Sequence, residues 1–204
     1  MKKTIRDIEW AGKTAVVRCD FNVPFADGKI SDDTRIVAAI PTISYLREHG
    51  ARVVLLSHLG RPKGEPNPEF SLAPVALKLG EKLGVDVKFL KSDVVVDETV
   101  SAAVKALEPA DVALLENVRY RAEETKNEPG FAKELASLGD VFVQEAFGTA
   151  HRAHASTTGI ADYIPAVSGF LIEKELKFLG AAIEAPERPL AATMGGAKVK
   201  VKIP

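Results

Sequence analysis

The feature that most constrains this chain is a recurring phrase: a short, almost wholly apolar run, a polar loop, then a stretch with helical spacing. Arg52-Val53-Val54-Leu55-Leu56 is the clearest such run. Its β-branched and aliphatic residues suit a strand buried on both faces, because a half-exposed strand would alternate apolar with polar residues. Ser57-His58-Leu59-Gly60-Arg61-Pro62-Lys63 follows, and Gly60, Pro62, Gly64 and Pro66 rule out a continued strand or helix. A His, an Arg and a Lys are thus delivered at the carboxyl end of a buried strand. In open α/β sheets that edge is where ligands bind.

The phrase repeats along the chain. Apolar runs at Thr14–Cys19, Val85–Phe89, Asp111–Leu115, Asp140–Val143 and Leu190–Met194 read as further strands. Helical spacing is expected over Arg35–His49, Leu72–Leu83, Asp93–Leu107, Pro129–Leu138 and Phe170–Ala182. Ser31 to Thr34 supply cap-type residues for the first helix, and Pro41 inside it should kink it. Strands alternating with helices predict an α/β fold, a doubly wound (Rossmann-like) parallel sheet with helices on both faces. The 204 residues are 46% hydrophobic and 27% charged, with a net charge of −1, which suits a globular protein and lends no support to nucleic acid or membrane as a partner. A single cysteine, Cys19, leaves no partner for an internal disulfide or a multi-cysteine metal site; together with the lack of an apolar signal sequence or membrane span, it leads us to expect a cytoplasmic protein.

Set side by side, the strand ends form a constellation. The first offers Asp20 and Asn22, the second His58, Arg61 and Lys63, the fourth Asn117, Arg119 and Arg121, and the fifth His151, Arg152 and His154. Arginine forks match carboxylate and phosphate bidentately, so the expected ligand is a small polyanion, with Asp20 and Asn22 available to its hydroxyl groups. Arg35 opens a helix, where a cation opposes the dipole; either it pairs with Asp32 or Asp33, or it and the helix N-terminus both face an anion. His151-x-x-His154 invites a metal, but a third ligand is not evident and the arginines would repel a cation. A Ser-His-Asp hydrolase lacks the Gly-x-Ser-x-Gly elbow. Gly12-Lys13-Thr14 is a decoy for a P-loop, since Asp7 stands where that motif needs glycine and the triplet precedes a strand instead of following one; nor does Gly-x-Gly-x-x-Gly follow the first strand, as a dinucleotide-binding domain requires.

Six segments together resemble phosphoglycerate kinase: Asp20-Phe21-Asn22-Val23-Pro24, Asp33-Thr34-Arg35-Ile36, Ser57-His58-Leu59-Gly60-Arg61-Pro62, Leu115-Glu116-Asn117-Val118-Arg119, Ala146 through His154, and Gly195-Gly196-Ala197-Lys198-Val199. The resemblance implies reversible phosphoryl transfer between ATP and the carboxylate of 3-phosphoglycerate, giving 1,3-bisphosphoglycerate and ADP, with Mg²⁺ carried on the nucleotide. It places Asp20 and Asn22 at the glycerate end, and Arg35, His58, Arg61, Arg119 and Arg152 around the carboxylate and 3-phosphate. Arg35 and Lys198 would stabilise the phosphoryl in flight, and Lys202 would reach the nucleotide phosphates. A carboxylate acceptor is already ionised at neutral pH, so such a site needs positioning and charge stabilisation and no general base. A stand-alone binding module for a phosphorylated carboxylate is the alternative, though it would have no need of the Gly-Gly-Ala-Lys loop.

By length the chain resembles the N-terminal half of that family with the hinge and a first piece of the second half. The expected organisation is a 3-phosphoglycerate-binding domain over 1–169, a hinge helix and linker over 170–188, and the start of a nucleotide-binding domain over 189–204. On that basis the chain alone is expected to bind weakly and not to turn over. Leu190–Met194, belonging to the second domain's sheet, would pack on its own domain, pair with a complementary half or another copy, or stay an open edge. The chain departs from the family where Gln144-Glu145 replaces Asn-Asp, and where Val201 replaces Asp.

Overall fold

A computed structural model describes residues 3–184, Pro186 and 188–191. The chain divides into two compact units, Met1–Glu173 and Lys174–Pro204. The first contains a parallel sheet of six strands: β1 (Thr14–Arg18), β4 (Arg52–Leu56), β5 (Val87–Leu90), β6 (Val112–Leu115), β7 (Val141–Gln144) and β8 (Ala166–Ser168). Their spatial order is β5-β6-β4-β1-β7-β8. After β1 the chain moves outward to β4 and on to the edge as β5, returns to insert β6 between them, then crosses to the other side of β1 as β7. The carboxyl ends of β6, β4, β1 and β7 therefore lie next to one another across this reversal, the place where open α/β sheets form a crevice.

Unbroken apolar runs occur because successive residues of one strand enter different cores. Ala15, Val17, Val53 and Leu55 pack with Ile36, Ile43 and Leu46 of α1 (Thr34–Glu48) and Val75 and Leu79 of α2 (Ala73–Leu83). Val16, Val54, Leu56 and Ala113 face the opposite way, onto Val100 and Val104 of α3 (Glu98–Lys105) and Phe131 and Leu135 of α5 (Pro129–Ala136). Each valine, leucine, isoleucine or phenylalanine among them contributes roughly 1.5–3 kcal/mol when removed from water. The doubly wound sheet expected from the sequence is thus what the chain forms.

Several local expectations need correction. The helix expected from Asp93 starts only at Glu98, because Asp97, not Asp93, caps it: the Asp97 Oδ1 accepts the Val100 N–H at 2.7 Å, and Val95 just upstream has a left-handed φ of 69° that no helix contains. α1 continues across Pro41, whose ring nitrogen forgoes one helical hydrogen bond, the loss from which the kink is expected. Pattern reading also missed the small hairpin of β2 (Phe25–Ala26) and β3 (Lys29–Ile30), the short helix α4 (Ala122–Lys126), and β8, all too brief to show a period. α6 spans Phe170–Glu184, so the division between the two units falls inside it. Within the second unit the described side chains Phe178 and Ile183 of α6 are exposed. The expected strand Leu190–Met194 lies largely outside the described residues, as do Lys198, Val201 and Lys202.

Candidate functional site

The loops leaving β1, β4 and β6 are stitched into one surface by backbone groups that the strand ends leave unpaired. Ser57 Oγ accepts the Phe21 N–H at 2.9 Å, and Asn22 Oδ1 accepts the Gly60 N–H at 2.8 Å. Asn117, fully buried, donates its amide to the carbonyls of Leu59 and Phe70 at 2.7 and 2.9 Å and accepts the Arg119 N–H. Gly60 takes a left-handed φ of 59°, and a Cβ there would run into the Phe70 ring, so the loop can carry no other residue unstrained. Asn117, expected from sequence as a polar group at a strand end, is therefore a bracket that holds the loop after β4.

On this bracket sits a cavity of about 440 Å³ lined by Arg61, Lys63, Arg119, Lys126, Arg152 and His154, with no acidic side chain in its wall among the described residues. Arg119 is anchored by its own Nη1–H, which donates to the Gly60 carbonyl at 2.9 Å, while its Nε is buried with no partner. Burial first, and then Arg152, Arg18 and the other nearby cations, draw the Arg119 guanidinium down to about 10. A buried donor without an acceptor beside like charges is a group poised for an anion. Among the described residues the Arg152 guanidinium makes no ion pair, and its one hydrogen bond runs from Nε to His151 Nε2 at 3.3 Å. Arg121, though it borders the cavity, is held elsewhere: it pairs with Glu123 at 2.8 Å and Glu134 at 3.3 Å and covers the Phe131 ring.

His58 is buried close to the cationic wall without lining the cavity itself, and burial first, then Arg18, Arg119, Arg152 and His154, push it down to about 2, so its imidazole is neutral at any ordinary pH. Asp20 and Arg35 form a separate pair, Arg35 Nη1 donating to Asp20 Oδ2 at 2.7 Å. The partner of Arg35 is thus neither Asp32, whose Oδ1 accepts the Thr34 N–H, nor Asp33, which pairs with Lys82 at 2.9 Å. Arg35 remains half exposed beyond that contact. Asn22 borders a neighbouring hollow with Gly60 and Phe70 and not the large cavity. Of the expected residues, the structure therefore gathers Arg61, Arg119 and Arg152 around one cavity with His58 buried close by, and sets Asp20, Asn22 and Arg35 to its side. Among the described residues no cluster of three or more His, Cys, Asp or Glu side chains stands ready to hold a metal ion.

Sequence reading missed what supports the cavity from behind. Arg18, the last residue of β1, is fully buried, as is Glu124 of α4. Glu124 accepts both the N–H and the Oγ–H of Ser156, at 2.9 and 2.7 Å. Burial pushes this carboxyl upward, but His154, Arg18 and the Ser156 hydrogen bonds outweigh it, and Glu124 ends below its ordinary range. The signal was present: an arginine inside the run Val16-Val17-Arg18-Cys19 is a charge in a strand buried on both faces, and such a charge is almost never unpaired. Gln144 and Glu145 are also fixed: Gln144 donates to the Thr157 carbonyl and accepts the Ala146 N–H, and Glu145 accepts from Thr42 at 2.7 Å and from the Leu171 N–H.

By class, then, this is a doubly wound α/β domain with a cation-lined cavity at the carboxyl edge of its sheet. The phosphoglycerate kinase family model matches residues 5–204. The chain is 61% identical over 203 residues to a phosphoglycerate kinase of Clostridium botulinum, covering 99% of this chain and 51% of that protein, and 60% identical to one from Clostridium novyi. Among solved structures, phosphoglycerate kinase from Coxiella burnetii superposes with a TM-score of 0.87 at 43% identity, covering all of this chain and 50% of that one. The enzyme from Pyrococcus horikoshii gives the same TM-score at 36% identity. The chain belongs to the phosphoglycerate kinase family, and it spans about half the length of the relatives it matches.

Proposed function

We propose that this chain forms the 3-phosphoglycerate-binding part of a phosphoglycerate kinase, which moves a phosphoryl group reversibly between ATP and the carboxylate of 3-phosphoglycerate. The observation that carries this is the cavity walled by Arg61, Arg119 and Arg152 with no acidic residue, since a phosphate needs several fixed donors and no competing anion. Arg61, Arg119, Arg152 and the His58 ring hold the 3-phosphate and carboxylate, and Asp20 and Asn22 address the glycerate hydroxyl. Arg35, held by Asp20 yet half exposed, neutralises charge on the phosphoryl in transit. The acceptor carboxylate is ionised already, so the residues present orient it and spread charge without taking a proton.

Lys198 for the phosphoryl and nucleotide and Lys202 for the nucleotide phosphates complete the proposal; both lie outside the described residues. ATP or ADP enters with Mg²⁺, which neutralises phosphate charge. Residues 170–188 act as hinge between this domain and the segment that begins at 189. Residues 1–204 alone bind substrate without turnover, and the complementary half or a second copy pairs with Leu190–Met194, all in the cytoplasm. Titration of 3-phosphoglycerate followed by amide NMR tests the binding: saturable shifts at Asn22, Arg35, Arg61, Arg119 and Arg152 are expected. A well-dispersed spectrum that stays unmoved at millimolar ligand overturns it.

A further inference from the structure

Arg18 ends β1 on the same strand face as Val16, the face covered by the core to which α5 contributes, and its guanidinium reaches three partners. Its Nε–H donates to Ser156 Oγ at 2.7 Å, its Nη1–H to the Cys19 carbonyl, and its Nη2 lies 3.1 Å from His58 Nδ1. Ser156 in turn donates to Glu124 at 2.7 Å, so a relay of Glu124, Ser156 and Arg18 fixes the guanidinium plane beneath the loop after β4. Arg18 and Glu124 are fully exchanged out of water, and each compensates the other's buried charge through the serine.

A guanidinium has donors only. The ring atom facing Arg18 must therefore carry a lone pair, and the imidazole proton must sit on Nε2. Among the described residues Nε2 has no hydrogen-bond partner, and it is not one of the unpartnered atoms sealed from solvent. We propose that Arg18 is a positioning residue: it locks His58 in the Nε2–H tautomer, so that the ring offers a hydrogen-bond donor, never an acceptor, to an anion in the neighbouring cavity. The cations facing His58, namely Arg18, Arg119 and Arg152 together with His154, also oppose its protonation, as does its burial. A lone pair turned toward bound phosphate or carboxylate oxygen would repel it, whereas the Nε2–H adds a donor without adding another charge to a crowded basic wall. The tautomer follows from the geometry alone; its use toward substrate oxygens rests on the function proposed above.

Long-range proton–nitrogen correlation spectra of the ¹⁵N-histidine-labelled 204-residue chain read the tautomer directly. From pH 5 to 8 His58 should show a protonated Nε2 and a bare Nδ1 throughout; a protonated Nδ1, or a ring that titrates in that range, overturns the proposal. Arg18→Met with Glu124→Gln removes both buried charges together and so keeps the fold accessible. In this variant His58 should average over both tautomers, and a ring still purely Nε2–H would show that Arg18 does not set it. With the Nε2–H form then populated about half the time, the same variant should bind 3-phosphoglycerate about twofold more weakly through His58. In a His58→Gln background, where an amide N–H replaces Nε2–H, removing Arg18 and Glu124 should leave 3-phosphoglycerate binding unchanged; a loss there as large as in the His58 chain shows that Arg18 does not act through His58. A locked tautomer in a chain that binds no 3-phosphoglycerate would uphold the positioning role and overturn the proposed function instead.

Discussion

Glu145 offers the sharpest test of how this fold stores free energy. Its carboxyl is fully buried between α1 and the start of α6, pressed so close to Gly169 that a Cβ there would collide with it. Burial outweighs the hydrogen bonds from Thr42 and Leu171 and raises the group from 4.5 to about 8. An acid raised on folding binds its proton more tightly in the native state, so its ionisation opposes folding. Below pH 4.5 both states are protonated and there is no penalty; the penalty grows as pH rises from there and is complete above pH 8. At 1.36 kcal/mol per pH unit the whole shift is worth on the order of 5 kcal/mol, and the parts that fall below pH 5 and above pH 8 take a share of it. Ionisation of Glu145 alone should therefore cost about 3 kcal/mol between pH 5 and pH 8; His58, held neutral by burial, adds a rise of the opposite sign up to about pH 6.5 in wild type and variant alike. The nearby Cys19 thiol does not blur this window, since burial and Glu145 itself push it well above its ordinary value. Urea unfolding of wild type and Glu145→Gln at half-unit pH steps reads the effect. The difference between the two proteins isolates Glu145, and the glutamine variant should gain steadily on wild type from pH 5 to pH 8. Parallel curves for the two proteins would show that Glu145 ionises freely and that the burial assigned to it is wrong.

Three further outcomes are expected. Arg152→Met, which breaks no ion pair among the described residues, should weaken 3-phosphoglycerate binding by about 10–100-fold by calorimetry while shifting the urea midpoint little, because a hydrogen bond to a charged group is worth about 1.5–3 kcal/mol. Gly60→Ala should lower stability by about 2–3 kcal/mol through the left-handed φ and the clash with Phe70, and adding Phe70→Leu should restore only the clash part, as denaturant titration will show. Glu124→Ala should cost about 3–5 kcal/mol by leaving Arg18 buried without its counter-charge, and Glu124→Ala made with Arg18→Met should cost less than Glu124→Ala alone.

Much of this was readable before any coordinates. The unbroken runs at Thr14, Arg52, Asp111 and Asp140 could only be strands covered on both sides, and the polar residues closing them had to share one edge of a parallel sheet. Arg61, Arg119 and Arg152 were legible for that reason, because the direction of a parallel strand and the place of its loop follow from local pattern. Order along the sheet was not legible: β6 lies between β5 and β4, and β7 lies beyond β1, which no local period encodes. That order decides which strand ends are neighbours, and so which arginines share a wall. Pairings across long separations were equally hidden. Arg35 meets Asp20 and not its adjacent aspartates, and Arg18 meets Ser156 across 138 positions. Sequence alone determined the class of each element and the chemistry carried at each strand end, because backbone sterics and hydrophobic period act over a few residues. Only the tertiary structure decided which charges are buried and against what, because desolvation and hydrogen bonding depend on the neighbours that packing supplies.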